Sequence, residues 1–88
     1  MNIFQSELLG TFILVAAILS TSNKYYIALA FLIGITVATF SKGHINPAVT
    51  MIKYIQGAIT KQESLQYISG QVTGALIAFY VIKLTKTK

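Results

Sequence analysis

Three long apolar segments alternate with shorter, more polar stretches along the chain. The segments are residues 3–19, 25–40 and 65–84. Glu7 and Lys83 are the charged residues within them. A helix needs about 20 residues, with a range of about 17 to 25, to cross the hydrocarbon core of a bilayer. The pattern therefore predicts three transmembrane helices. Their expected bounds are residues 3–20, 25–40 and 63–84.

The stretch between the second and third segments is too long for a simple turn and too apolar for a solvated loop. Within it, Asn46 is of a type that often caps the start of a helix, and Pro47 after it suits the first helical position. The apolar residues that follow make about three helical turns, too few to span a bilayer. We therefore predict a re-entrant loop and half-helix over residues 41–59. Irregular backbone at membrane depth must line a cavity or be buried in protein, so residues 43–45 are expected to face a water-filled path.

The composition agrees with a membrane protein. Apolar and aromatic residues make up 55% of the 88 residues and charged residues only 10%, against about 25% in an average soluble domain. A soluble domain of this size must cover a large surface with polar groups, and seven Lys with two Glu are too few to do so. We expect an integral, multi-pass protein, with the cell membrane as its site.

Several kinds of chemistry are excluded by residue counts. The chain has no Cys, and His44 is its single histidine, so we expect no metal site and no cofactor. Glu7 has no partner acid, base or nucleophile in the sequence, which argues against an enzyme. The formal charge of +5 comes from Lys residues scattered singly between apolar segments. This spacing favours contact with anionic membrane lipid over nucleic acid. No basic residue precedes the first segment, which argues against a cleaved signal peptide, and the Lys-containing end reads as a finished polar tail.

The run Gly-His-Ile-Asn-Pro-Ala-Val-Thr at residues 43–50 resembles the first Asn-Pro-Ala box of the aquaporin, or major intrinsic protein, family. The run Glu-Leu-Leu-Gly-Thr-Phe at residues 7–12 resembles the family's first helix, and Gln71 with Gly-Ala at residues 74–75 resembles its third. The order of elements is that of one family repeat. The resemblance implies an all-α membrane protein with three transmembrane helices and one re-entrant half-helix. This is half of an aquaporin-like fold, as a single half domain over residues 1–88.

The resemblance also assigns a pore to the box and the loop before it. The implied pore residues are Asn46, Pro47 and Ala48 in the box and Gly43, His44 and Ile45 in the loop. A half-helix that starts near the midplane presents unpaired N–H groups and about half a positive charge, which repels cations. Asn46 can cap the helix with its side-chain oxygen and keep its amide donors for a passing water. The loop carbonyls would offer acceptors to the same water.

Five further residues are candidates for structural or filter roles. An intramembrane carboxylate is costly unless it is hydrogen-bonded. The resemblance implies that Glu7 and Gln71 are buried polar residues and that Glu7 accepts hydrogen bonds from the loop; an interfacial Glu near a helix end is the alternative. Counting without gaps puts the aromatic filter position at Tyr26, whereas matching the local Ala-Leu-Ala-Phe run puts it at Phe31. The chain has no Arg and no second box, and Val49 stands where a self-paired copy would need the family's filter Arg.

These observations favour a half-size channel for passive flux of water or small neutral solutes such as glycerol. An antiparallel homodimer or a separate second half would complete its pore. With a cytoplasmic N-terminus, the Lys residues divide almost evenly between the two sides of the membrane. They are Lys42, Lys53 and Lys61 inside, and Lys24, Lys83, Lys86 and Lys88 outside. Such a split gives little orientation bias, so we hypothesise that copies of the chain insert into the membrane in both orientations.

Two alternatives remain open from the sequence. One is a truncated, non-conducting remnant of a channel, because every helix needed for insertion would be present in it too. The other is a small holin-like protein that makes large membrane lesions, which three spans and a Lys-rich end also fit. The Asn-Pro-Ala box disfavours the holin-like alternative, because a lesion needs no re-entrant helix.

Overall fold

The computed structural model describes residues 2–38 and 43–86, and all regular structure within these ranges is helical. The helices are α1 (Ile3–Ser20), α2 (Lys24–Ala38), α3 (Pro47–Ile55) and α4 (Lys61–Lys86). The predicted all-α class is therefore confirmed. Residues 39–42, which end the second predicted segment and begin the predicted loop, lie outside the described residues, as does Lys88.

Each helix start has a local chemical cause. Asn2 and Gln5 form a capping box at α1, in which the Gln5 N–H donates to Asn2 Oδ1 at 2.8 Å and the Asn2 N–H to Gln5 Oε1 at 3.3 Å. Asn23 Oδ1 accepts from the first N–H groups of α2. Thr60 and Glu63 form a second capping box, with bonds of 3.0 and 2.9 Å. These side chains satisfy N–H groups that have no partner inside the helix, which fixes where it begins.

Among the described residues, α1 and α4 are long and apolar enough to cross a membrane. Helix α2 is also apolar but has 15 described residues, and α3 has nine. At about 1.5 Å per residue, α3 is about 13 Å long, less than half the thickness of a hydrocarbon core. A short helix therefore lies between two apolar helices along the chain, as the sequence predicts.

Helix α1 packs against both α2 and α4, and α3 packs against α4. Glycines bring the backbones close at these crossings. A Cβ atom added at Gly10 would lie 2.6 Å from the carbonyl oxygen of Gly34, and one added at Gly34 would lie 2.7 Å from that of Gly10. At the other crossing, a Cβ at Gly70 would lie 2.6 Å from the carbonyl oxygen of Phe4. Contacts of this kind are typical of helices that associate without large apolar side chains between them.

The residues buried inside the bundle are mostly small or polar, whereas its surface is rich in large apolar side chains. Among the described residues, the buried polar side chains are Ser6, Glu7, Thr11, His44, Thr50, Ser64 and Gln71. Large apolar side chains such as Leu32 (59% exposed) and Leu76 (53% exposed) point outward. A soluble protein of this kind would leave its apolar surface in water, at a large cost in free energy. The distribution is that expected of helices that pack together in a bilayer.

Candidate functional site

The start of α3 is built by the residues of the Asn-Pro-Ala box. Asn46 has an extended backbone (φ −155°, ψ 122°), and its Oδ1 accepts a hydrogen bond of 2.8 Å from the Ala48 N–H. Pro47 is the first helical residue, where its missing N–H costs no intrahelical bond. Within the described part of the chain, the Asn46 amide nitrogen has no hydrogen-bond partner.

The loop before α3 has an unusual backbone. Gly43 and Ile45 have positive φ angles of 60° and 41°. The left-handed region suits Gly, but a β-branched residue there costs about 1 to 3 kcal/mol and needs the surrounding structure to hold it. A hydrogen bond holds the Ile45 backbone in this conformation, because its N–H donates to Glu7 Oε1 at 2.7 Å. The hydrogen bond that the family resemblance implied for Glu7 is therefore present in the structure.

A buried hydrogen-bond network ties this loop to three helices. Gln71 Nε2 donates to Glu7 Oε1 at 2.9 Å and to Thr50 Oγ1 at 3.1 Å. Thr50 Oγ1 is also hydrogen-bonded to His44 Nδ1, at 2.9 Å. Glu7 and Thr50 are completely buried, and Gln71 is 3% exposed. The network therefore joins α1, the loop, α3 and α4 in an environment where each of its hydrogen bonds is costly to lose.

An aromatic contact holds the other side of the loop. The rings of His44 and Tyr67 are stacked, with centroids 3.7 Å apart and planes 13° from parallel. Both side chains are buried. His44 is thus held by α3 through its nitrogen and by α4 through its ring face. This geometry agrees with a structural role for His44.

The predicted pore residues lie together at the tip of α3. Asn46, Pro47 and Ala48 are exposed, whereas the loop residues before them are half-buried or buried. Among the described residues, no N–H or O–H group donates to the carbonyls of Gly43, His44 and Ile45. The tip therefore presents free amide donors, and the adjoining loop has carbonyl acceptors without protein donors. A chain of water molecules could bind to such groups.

The candidate filter residues are not brought together. Val49 lies on α3 next to the box and is 40% exposed. Tyr26 and Phe31 lie on α2, with 64% and 43% of their surfaces exposed. In the part of the chain that the structure describes, α2 packs against α1 and does not contact α3. Only Val49 thus lies near the box within one copy of the chain.

Two residues that hold the loop, Thr50 in the hydrogen-bond network and Tyr67 stacked on His44, were given no role in the sequence analysis. Thr50 is one helical turn after Asn46, so its hydroxyl faces back toward the loop. Tyr67 is one turn before Gln71 on the same face of α4. Both positions follow from helical periodicity once one partner is known, but periodicity alone does not reveal which partner they meet.

One side of this site is open. A cavity of about 260 Å³ lies beyond the tip of α3, between α1 and α4. Its lining residues are Thr11, Leu14, Val15, Ile45, Pro47, Gln71, Val72 and Ala75. Two of them, Thr11 and Gln71, have a buried oxygen atom with no hydrogen-bond partner among the described residues. Buried polar atoms are usually hydrogen-bonded, so these oxygens are candidate acceptors for a donor in this cavity, such as water.

The short capped helix, inserted between apolar helices that cross at glycines, defines an all-helical repeat. The family model described as Major intrinsic protein matches residues 24–88. The chain belongs to this family, whose members are channels rather than enzymes, and it corresponds to an N-terminal half. The recognition made from the Asn-Pro-Ala box is thus confirmed.

Three curated relatives match along most of the chain. It is 34% identical to Glycerol uptake facilitator protein-like 6 of Lactiplantibacillus plantarum, over 94% of this chain and 43% of that protein. It is 39% identical to Aquaglyceroporin-2 of Rhizophagus irregularis, over 90% of this chain and 30% of that protein. It is 33% identical to Aquaporin Z of Photorhabdus laumondii, over 88% of this chain and 40% of that protein. The chain thus spans less than half the length of these relatives. No solved structure matches it significantly.

Proposed function

We propose that this chain forms half of a channel for passive flux of water or small neutral solutes such as glycerol. In this proposal α1, α2 and α4 span the cell membrane, and the loop and α3 form a re-entrant segment within one half domain. The names of the relatives include both an aquaporin and a glycerol facilitator, so both permeants are candidates. No cofactor or chemical step is needed for such flux.

The observation that carries the proposal is the tip of α3. Asn46 caps the helix with its oxygen and keeps its amide donors free, while the backbone N–H groups of the first turn carry about half a positive charge. A water molecule that donates to the loop carbonyls and accepts from Asn46 would pass this point, whereas a cation would be repelled. The buried network around Glu7 holds the loop beside the tip of α3, which supports this proposal.

The pore needs a second half. The open face at the tip of α3 and the unpaired oxygens of Thr11 and Gln71 are consistent with a missing partner. In our proposal an antiparallel copy of the same chain, or a separately encoded half, covers this face. Inverted repeats of this kind meet about a pseudo-two-fold axis in the membrane plane.

The test is water flux through purified protein in liposomes, followed by stopped-flow light scattering after an osmotic step. The diagnostic variant is Asn46→Asp, because Asp is an equally good helix cap but replaces the amide donors with a charged acceptor. Loss of one such hydrogen bond predicts a fall in water flux of about 2- to 10-fold, and the added negative charge predicts a rise in cation leak. Asn2→Asp is the matched control, because it makes the same change at the cap of α1.

Other outcomes would identify the alternatives. Wild-type flux no faster than that of empty liposomes would exclude a pore built from copies of this chain alone. It would favour a non-conducting remnant or a half that requires a separately encoded partner. Release of a trapped protein-sized dye would favour the holin-like alternative. Equal flux in the Asn46→Asp and Asn2→Asp variants would show that water does not pass the tip of α3.

A further inference from the structure

Lys53 is the charged residue of α3 and lies in its last turn. Its side chain is exposed, and among the described residues no carboxylate forms an ion pair with it. Lys53 follows Asn46 by seven residues, which puts both on one face of the helix, with Val49 between them. It helps to line an open cavity of about 320 Å³ along this face. The face that carries Asn46 at one end thus carries an ammonium group at the other.

The position of Lys53 has an electrostatic consequence. The N-terminus of α3 is positive, but its C-terminus carries about half a negative charge. If water passes along this face, the C-terminal end of α3 lies at the mouth of the path and would attract cations there. A Lys side chain in the last turn offsets this charge and makes the mouth positive. The chain has no Arg, so no guanidinium is available for the task in any copy of it.

The environment also favours an aqueous path over lipid for this side chain. Ionisable side chains within membrane segments almost always face a water-filled cavity or the bundle interior. Apolar side chains of α3 such as Val49, Met51 and Ile52 are exposed. Lys53 therefore places a charge on a helix surface that is otherwise mostly apolar, and it shares an open cavity with Val49 and Ile52.

We propose that Lys53 is a specificity-determining residue of the permeation path, where its ammonium opposes cation entry at the mouth formed by the C-terminal end of α3. This inference rests on the proposed channel function. It deepens that function by assigning the discrimination against cations to two separate positions. One is the tip of α3, and the other is Lys53, about 10 Å further along the helix at its rise per residue.

The test measures water flux and cation leak in the same proteoliposomes. The leak is followed with internal potassium and pH indicators under imposed gradients. A unit charge about 7 Å from an ion in water changes its local concentration by about threefold. We therefore expect cation leak to rise about threefold in Lys53→Gln and about tenfold in Lys53→Glu, with water flux within twofold of wild type. Lys53→Arg keeps the charge and should keep the leak low.

Lys61→Gln is the matched control. Lys61 is the first residue of α4 and follows Gln56, the C-cap of α3, by five residues. It therefore lies at the same end of α3 as Lys53. Its removal lowers the surface charge equally but leaves the face of α3 unchanged. Equal leak in the Lys53→Gln and Lys61→Gln variants would overturn the inference and leave the channel proposal standing. Loss of water flux in Lys53→Gln without added leak would overturn it too. Absent wild-type flux would overturn both this inference and a pore built from copies of this chain alone.

Discussion

Thr50 offers the sharpest test of the network that positions the half-helix. Its hydroxyl lies within hydrogen-bond distance of three groups, namely Gln71 Nε2 at 3.1 Å, His44 Nδ1 at 2.9 Å and the Asn46 carbonyl at 3.4 Å. The side chain is completely buried. Thr50→Val keeps the shape of the side chain and removes only the hydrogen-bonding atom. The variant therefore isolates the network from the packing of α3.

The expected cost follows from the groups left behind. Without the hydroxyl, one N–H of Gln71 and the Nδ1 atom of His44 lose the partners that the structure gives them. A buried polar group without a partner costs about 1 to 3 kcal/mol. Since some relaxation is possible, we expect Thr50→Val to lower the free energy of unfolding by about 2 to 4 kcal/mol. Thr50→Ser keeps the hydroxyl and loses one methyl group, which costs about 1 kcal/mol.

The assay is unfolding in mixed micelles by increasing fractions of sodium dodecyl sulfate, followed by circular dichroism at 222 nm. Thr85→Val is the control, because the Thr85 hydroxyl is exposed and donates to Ile82 within its own helix. The order of stability should be wild type and Thr85→Val first, then Thr50→Ser, then Thr50→Val. If Thr50→Ser is as unstable as Thr50→Val, packing rather than hydrogen bonding explains the role of Thr50, and the reasoning fails.

Two further predictions concern packing and topology. Gly10→Ala would place a Cβ 2.6 Å from the Gly34 carbonyl oxygen and 3.0 Å from Ile45 Cγ2, so it should lower stability by about 1 to 3 kcal/mol in the same titration; wild-type stability would show that α1 and α2 do not cross there. Lys24→Cys introduces a single cysteine into a chain that has none, and a membrane-impermeant maleimide should label it from both sides of sealed vesicles. Labelling from one side only would exclude the antiparallel copy and leave a separate second half.

Local sequence signals were enough to predict where α3, the helix that follows the Asn-Pro-Ala box, begins. The cap at Asn46 and the proline after it placed the start of α3, and the structure begins that helix at Pro47. The end was less well predicted, because the apolar pattern continues to Ile59. Helix α3 stops at Ile55, where Gly57 takes a positive φ of 76° and the Ala58 N–H donates to the Lys53 carbonyl. Gly at this position ends helices even when apolar residues follow.

The start of α4 shows a different kind of omission. Hydropathy placed the third segment at about residue 63, but the helix begins at Lys61. Thr60 and Glu63 form a capping box that the sequence already contains. Polar capping residues lower the local hydropathy, so a search for apolar segments passes over them. The contact between Glu7 and the loop joins residues 38 apart in sequence and follows from no local pattern. Only the family resemblance indicated it.

In the proposed channel, the buried network would let a single repeat position its half of the pore before it meets a second half. Among the described residues, Glu7, Thr50 and Gln71 link the loop to α1, α3 and α4 through buried hydrogen bonds, and the Gly43 N–H donates to the Ala38 carbonyl. The groups left open, such as the Asn46 amide, are those that would face water or a partner. Two such halves would therefore dock as preformed units, with little backbone change, rather than fold upon each other. Their association would then depend on the chemistry of the open face, because residues of the same chain already hydrogen-bond the loop and the start of α3.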